Sequence, residues 1–149
     1  MLFRSPLHKE VRVLQLSPCR VRGSSELLRS GIENVVRNAI RYTAEGTAVE
    51  VSLSTRLDHA LVTVRDHGPG VPDSELQHIF EPFYRVGEAR ERSSGGVGLG
   101  LSIADRTIKL HGGTIRAENV NDGLLVTIGI PLSATPAMNQ PVAERMPVA

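Results

Sequence analysis

Apolar residues between Ser25 and Thr43 fall at Leu28, Ile32, Val35, Val36, Ala39 and Ile40. That spacing draws one continuous stripe down a helix. Ser24-Ser25 offers the N-cap and Glu45-Gly46 ends the pattern, so a helix is predicted from there to about Thr43. The period then changes. Val49, Val51 and Leu53 alternate with Glu50, Ser52 and Ser54, as in a half-buried strand. Leu61–Asp66 reads as a second strand, joined to the first by a turn at Leu57-Asp58-His59. Val11 and Val13 place an earlier strand over Glu10–Leu16. Thr114–Asn119 and Leu124–Ile130 read as two more, with Asn121-Asp122-Gly123 as a hairpin turn. Two further helices are expected. One is short, over Asp73–Phe80, with Pro72 and Asp73 as its start signals. The other, Leu99–Leu110, is apolar on more than one side and therefore expected to be buried. Phe83–Val97 has no period and reads as a long loop. From Ser133 the chain carries prolines, little periodicity and no aromatics, so 133–149 is expected to be a disordered tail and 1–132 the folded domain.

Helices interleaved with hairpin-linked strands imply an α/β fold. The expected form is a two-layer sandwich, its mixed and mostly antiparallel sheet covered by helices on one face. At 149 residues and 40% apolar content, one domain with a substantial core is the expectation. No apolar run approaches the ~18 residues of a membrane span, and residues 1–10 show no signal-peptide pattern. Net charge is +1, from 17 basic and 16 acidic residues. That balance argues against a general nucleic-acid binder, which needs a basic face. The lone Cys19 excludes an intrachain disulfide, suits a reducing cytoplasm and reads as a small apolar filler. Charge is densest where Glu88 and Glu91 interrupt Arg85, Arg90 and Arg92. This is either a solvated loop or a mobile segment whose arginines reach phosphate, and the two are compatible.

Four separated segments fit a single nucleotide site. They are Glu33-Asn34-Val35-Val36-Arg37-Asn38-Ala39-Ile40-Arg41-Tyr42, Asp66-His67-Gly68-Pro69-Gly70, Phe80-Glu81-Pro82-Phe83-Tyr84-Arg85 and Gly95-Gly96-Val97-Gly98-Leu99-Gly100-Leu101. Each alone is a weak signal, because glycine motifs recur by chance. Asn34, Asn38, Arg41 and Tyr42 share one rim of their helix. An Asn amide oxygen is a neutral hard ligand suited to Mg²⁺, and Arg41 matches phosphate geometry; a merely polar helix face has the same look. Asp66 shares parity with Val62 and Val64, so its carboxylate points inward and needs a partner. An exocyclic amine would serve, although an ordinary Asp-x-Gly-Pro-Gly turn reads the same in isolation. Gly68 and Gly70 permit a tight turn and the approach of a flat ring. Gly96, Gly98 and Gly100 directly precede a helix, where backbone N–H groups and the helix dipole favour an anion. Phe80, Phe83 and Tyr84 supply two of the chain's 3 phenylalanines and one of its 2 tyrosines, and a core anchor is their favoured role.

In this order the segments resemble the N box, first glycine box, F box and second glycine box of the ATP-binding catalytic domain of bacterial sensor histidine kinases. The Glu33–Tyr42 segment is especially similar to Cpx-type kinases, and the resemblance runs from about Val11 to Leu132. It implies the ATP-binding sandwich shared with gyrase, Hsp90 and MutL, closed by a mobile lid. It implies ATP and Mg²⁺ as cofactors, with Asn38 holding the metal, Arg41 and Tyr42 meeting the phosphates, and Asn34 and Arg41 as catalytic residues. Asp66 would read the adenine amine, with Gly68 and Gly70 beneath the ring. Arg85, Gly96, Gly98, Leu99, Gly100 and Leu101 would meet the phosphates from the lid and the helix that follows it. His111-Gly112-Gly113 would help close the fold as a helix C-cap and turn. Related ATPases carry a water-activating Glu four residues before the metal Asn. Here that position is Asn34, which argues against an efficient hydrolase. Glu33 either orients the acceptor or pairs with Arg37 at i+4.

None of the five histidines, His8, His59, His67, His78 and His111, sits in the family's His-Glu-x-Arg-Thr-Pro acceptor pattern. His8 lies too close to Asn34 for the helical hairpin that normally intervenes. No spacing suggests a zinc site or a Ser-His-Asp triad. The resemblance therefore implies a protein-histidine kinase catalytic domain. It would donate the γ-phosphoryl to a histidine on a separate dimerisation and phosphoacceptor domain, and indirectly serve a response regulator. The implied location is cytoplasmic, with a parent kinase that can be anchored in the inner membrane. A stand-alone serine kinase of the anti-sigma type and a non-catalytic nucleotide-sensing module are the competing readings. Residues 86–97 combine charge, serine and glycine without an apolar stripe, so they are expected to be mobile without nucleotide.

Overall fold

The structure is a computed structural model that describes residues 3–4, 8–87 and 98–134. Strands β1 (Phe3–Arg4) and β2 (Glu10–Leu16) lead to helix α1 (Ser25–Tyr42). Strands β3 (Ala48–Arg56) and β4 (His59–Arg65) follow, then α2 (Gly100–Leu110), β5 (Thr114–Val120) and β6 (Gly123–Pro131). The sheet has six strands in the order β1-β2-β3-β4-β6-β5. Only β2 and β3 pair in parallel, so the sheet is mixed and mostly antiparallel.

Register explains the core. Val51, Val64, Val126 and Ala117 face one another across β3, β4, β6 and β5, and Leu53, Val62, Ile128 and Ile115 form the next row. Because side chains alternate along a strand, both rows project from one face. The helices cover that face: Val35 and Ala39 of α1 and Ala104 and Ile108 of α2 join the same buried cluster. Glu50, Ser52, Thr63 and Thr127 are on the opposite face.

Helix α1 is fixed at both ends. The Ser24 hydroxyl accepts the Leu27 N–H at 3.2 Å, a side-chain N-cap. Beside it the His111 ring accepts the Ser24 N–H at Nε2 (3.1 Å) while Nδ1 donates to the Thr107 carbonyl (2.7 Å). The C-cap of α2 thus holds the start of α1. At the far end Lys9 Nζ donates to the carbonyls of Ile40 (2.9 Å) and Arg41 (3.2 Å), which have no helical N–H partner. Midway, Gly31 lets Thr107 and the Ala104 backbone approach, so the two helices cross closely.

Several elements differ from expectation. Asp73–Phe80 is not an α-helix: Asp73–Glu75 forms one 3-10 turn, followed by turns closed by i→i+3 bonds such as His78 N–H to Glu75 O at 2.9 Å. The segment is too short to repay helix nucleation, and Leu76, Ile79 and Phe80 instead anchor it to the core. Helix α2 is buried on one side only. Leu101, Ala104 and Ile108 face inward, whereas Ile103 and Leu110 are 44% and 70% exposed. Strand β4 starts at His59 and ends at Arg65, leaving a turn of Leu57-Asp58 alone and Asp66 just outside the strand. The two-residue β1 was not anticipated, because two residues carry no period. The expected tail falls almost wholly on 135–149, outside the described residues; Leu132 bridges Val21 and the Ser133 N–H meets the Arg20 carbonyl. No helix among the described residues is long and apolar enough to cross a membrane.

The one-sided burial of α2 yields a paired test. Ile108 is fully enclosed, so Ile108→Ala should destabilise the fold by about 2–5 kcal/mol in urea titration, whereas Ile103→Ala should stay within about 0.5 kcal/mol. Equal losses would show that α2 is enclosed on both sides.

Candidate functional site

Helix α1, the glycine-containing turn after β4, the segment before α2 and the start of α2 surround one cavity of about 530 Å³. It is walled by Asn34, Asn38, Arg41 and Tyr42 from α1, Asp66 and Gly70 from the turn, Tyr84 and Arg85 from the aromatic segment, and Gly98, Leu99, Gly100 and Leu101 from the α2 end. The structure thus brings together most of the residues singled out in the sequence. Gly68 is not on the wall; it lies behind, where a Cβ would collide with the Tyr42 carbonyl, so the turn can press against α1 only with glycine there. Glu33 also lies off the wall and pairs with Arg37 at 3.8 Å. Gly96 and most of the expected lid, 88–97, lie outside the described residues.

Asp66 anchors one end of the cavity. It is 3% exposed, and both the Gly68 N–H (2.9 Å) and the Leu124 N–H (3.1 Å) donate to its Oδ1. The adjacent backbone is held as well, since the Asp66 N–H donates to the Leu124 carbonyl at 3.0 Å. Burial pushes this carboxyl above its ordinary 3.8; the two N–H groups and the His67 ring oppose that shift only in part. A buried carboxylate with one oxygen doubly bonded leaves Oδ2 to accept from a ligand. Thr43 secures the same turn by accepting the His67 N–H at 3.0 Å, while the Ala44 N–H reaches the His67 carbonyl.

Charge changes along the cavity. Asp66 is the one carboxylate among the described lining residues, whereas Arg37, Arg41 and Arg85 are all on the wall. Helix α1 sets the distance between the two regions. Tyr42 abuts the Asp66 turn at Gly68, and Asn34 abuts Gly100 at the first turn of α2. Eight residues of helix separate them, about 12 Å. The cavity thus runs from a buried acceptor, past amides and guanidinium groups, to a helix N-terminus. Such an arrangement fits a ligand with an amine at one end and anionic groups at the other. A cluster of three or more His, Cys, Asp or Glu able to hold a metal is absent among the described residues. A cation at this site would therefore rely on neutral amide oxygens, its own waters and the ligand's anionic groups, which suits Mg²⁺.

The aromatic segment divides its roles. Phe80 and Tyr84 pack against the core, as expected. Tyr84 donates to Glu75 Oε1 at 2.6 Å, which pushes its phenol up to about 12 and keeps it protonated. Phe83 is not a core anchor: it is 70% exposed and adopts φ 65°. Its backbone is the part that is held, the N–H donating to the Gly98 carbonyl at 3.0 Å. Gly98 in turn has φ 78°, and a Cβ there would stand 3.0 Å from Phe83 and Tyr84 backbone atoms. The wall residues Arg37, Val71, Ile79 and Leu124 were not singled out from the sequence. Arg37 alone carried a readable signal, lying three residues from Asn34 and four from Arg41.

Residues 23–134 match the family described as histidine kinase-, DNA gyrase B- and HSP90-like ATPase. Among curated relatives, the sensor histidine kinase CpxA of Escherichia coli is 44% identical over 116 residues, 77% of this chain and 25% of that protein. The chain thus spans about a quarter of the length of such relatives. Among solved structures, the mycobacterial sensor histidine kinase MprB superposes with a TM-score of 0.77 at 31% identity, covering 86% of each chain. Histidine kinase ThkA, solved in complex with response regulator protein TrrA, gives 0.70 at 26% identity over 85% of this chain and 35% of that one.

The burial of Asp66 makes a pH-dependent prediction. A carboxyl whose folded pKa is raised penalises the fold once charged, so the penalty is absent below the unfolded value and complete above the raised one. Asp66→Asn keeps an oxygen for the two N–H donors without the charge. At neutral pH it should melt no lower than wild type, and any gain should vanish as pH falls below 3.8. A variant that melts far lower at neutral pH would contradict this.

Proposed function

The chain belongs to the family of histidine kinase-, DNA gyrase B- and HSP90-like ATPases, and on that footing we propose that it binds Mg-ATP and donates the γ-phosphoryl to a histidine on a separate dimerisation and phosphoacceptor domain. One observation carries this reading: residues from four separated segments converge on one cavity that joins a buried acceptor, amides, guanidinium groups and the start of a helix. Asp66 Oδ2 takes the adenine amine, while Gly70, Ile79 and Leu124 flank the ring. Arg41, with Arg37 and Arg85, faces the phosphates, and Gly100 at the first turn of α2 adds backbone N–H groups. Asn38 holds the magnesium, with Asn34 beside it; the ion supplies charge neutralisation at the phosphate oxygens. The protein's contribution is positioning, because phosphoryl transfer needs little covalent chemistry from side chains. Among the described residues no carboxylate stands by Asn34 to activate water, since Glu33 points away to Arg37. That favours preserving ATP until an acceptor docks. In the parent protein the domain acts on the cytoplasmic side, and the phosphoryl group passes onward to a response regulator.

Two measurements test the reading. In calorimetric titration ATP should bind much better than GTP, whose carbonyl faces the Asp66 acceptor, and Asn38→Ala should remove the magnesium enhancement while sparing adenine recognition. Loss of the charge-assisted bond in Asp66→Ala is worth on the order of 1.5–3 kcal/mol, at least about tenfold in affinity. With γ-labelled ATP the chain should hydrolyse slowly, remain unlabelled, and label a phosphoacceptor fragment of its own kinase supplied in trans. Stable self-labelling would favour the stand-alone serine-kinase reading, and fast turnover without an acceptor the ATPase one.

A further inference from the structure

Asn119 lies on edge strand β5, away from the four segments that form the cavity, yet its amide bonds the stretch that directly follows the Asp66–Gly70 turn. The Val71 N–H donates to Asn119 Oδ1 at 2.9 Å, and Asn119 Nδ2 donates to the Val71 carbonyl at 2.5 Å and to Asp73 Oδ1 at 2.9 Å. One side chain therefore gives the Val71 backbone both bonds that a neighbouring strand would give it. The third bond holds Asp73, where the 3-10 turn toward Ile79 begins. Gly70 completes the fit: it has φ 70°, and a Cβ there would lie 2.8 Å from Asn119 Oδ1.

The same stretch of β5 reaches Asp66 from the other side. Asn119 is the register partner of Leu124, whose N–H donates to Asp66 Oδ1 at 3.1 Å. Asp66 is thus fixed at the head of the turn through Leu124, and Gly70-Val71 at its tail through Asn119. A turn tied at the head alone could swing its glycine end across the cavity mouth. Tied at both, it presents a fixed edge to a flat ring.

We infer that Asn119 is a positioning residue that sets nucleobase selectivity, by holding the Gly70-Val71 backbone in register with Asp66. This rests on the reading of the cavity as an ATP site. A role in base reading differs from a role in general stability, because the phosphate end is built from α1, Arg85 and α2, to none of which the Asn119 amide bonds.

The test is calorimetric titration of the full chain with ATP, with ITP, whose base carries a carbonyl in place of the amine, and with magnesium tripolyphosphate. Asn119→Ala should weaken ATP about tenfold, change tripolyphosphate less than about twofold, and so shrink the ATP-to-ITP ratio. Asn119→Asp is nearly isosteric, keeps the acceptor for the Val71 N–H and loses both donors. It should shrink the ratio as well, and it serves if the alanine variant does not fold. ATP and ITP weakened by one common factor, or an unchanged ratio in both variants, would overturn the inference while leaving the ATP site standing. Wild-type protein that does not prefer ATP to ITP would overturn both.

Discussion

The paired bonds between Asp66 and Leu124 hold the site together. A carboxylate enclosed among apolar side chains is unfavourable unless its oxygens are bonded. Here one oxygen accepts two backbone N–H groups, from Gly68 on its own turn and from Leu124 on β6. The arrangement ties the turn to the end of the sheet and leaves the second oxygen for another donor. Burial still raises the carboxyl, so the protein keeps a partly uncompensated acceptor where a ligand donor can complete it. Gly68, Thr43 and Leu124 all serve this residue, each by a contact only its own position allows.

Helix α1 carries that precision across the cavity. Its end at Tyr42 meets the Asp66 turn and its middle at Asn34 meets the start of α2. The separation between the acceptor and the start of α2 is therefore a property of helix geometry rather than of loops. Three unrelated contacts hold the helix in place: the His111 ring at its start, the close crossing at Gly31, and Lys9 at its last turn.

Much of this was legible in the chain because it rests on periodicity. The α1 stripe, the alternation of β3 and the parity of Asp66 are direct readouts of side-chain direction, and the sheet and its single helical layer followed. What escaped depends on contacts distant in sequence. Lys9 bonds Ile40 and Arg41, and Asn119 bonds Val71, with nothing local to announce either pair. Pairing with Arg37 was one of two readings open for Glu33, and the pair is present, but the place of Arg37 on the cavity wall needed the neighbouring elements. Phe83 misled for another reason: composition favours burying an aromatic, whereas a backbone held at Gly98 turns its ring outward. The short helix over Asp73–Phe80 failed because start signals at Pro72 and Asp73 report where a turn begins, not which hydrogen-bond ladder continues it.

Lys9 has a mechanical meaning. It stands just before β2, yet its ammonium grips carbonyls 31 and 32 residues further on. Those carbonyls belong to the turn of α1 that carries Arg41 and Tyr42. The entering strand is therefore fastened to the helix end as well as to the sheet. Displacing it loads two hydrogen bonds at the acceptor end of the cavity as well as the β-ladder. A shift of this strand is thus felt at the helix end that borders the cavity.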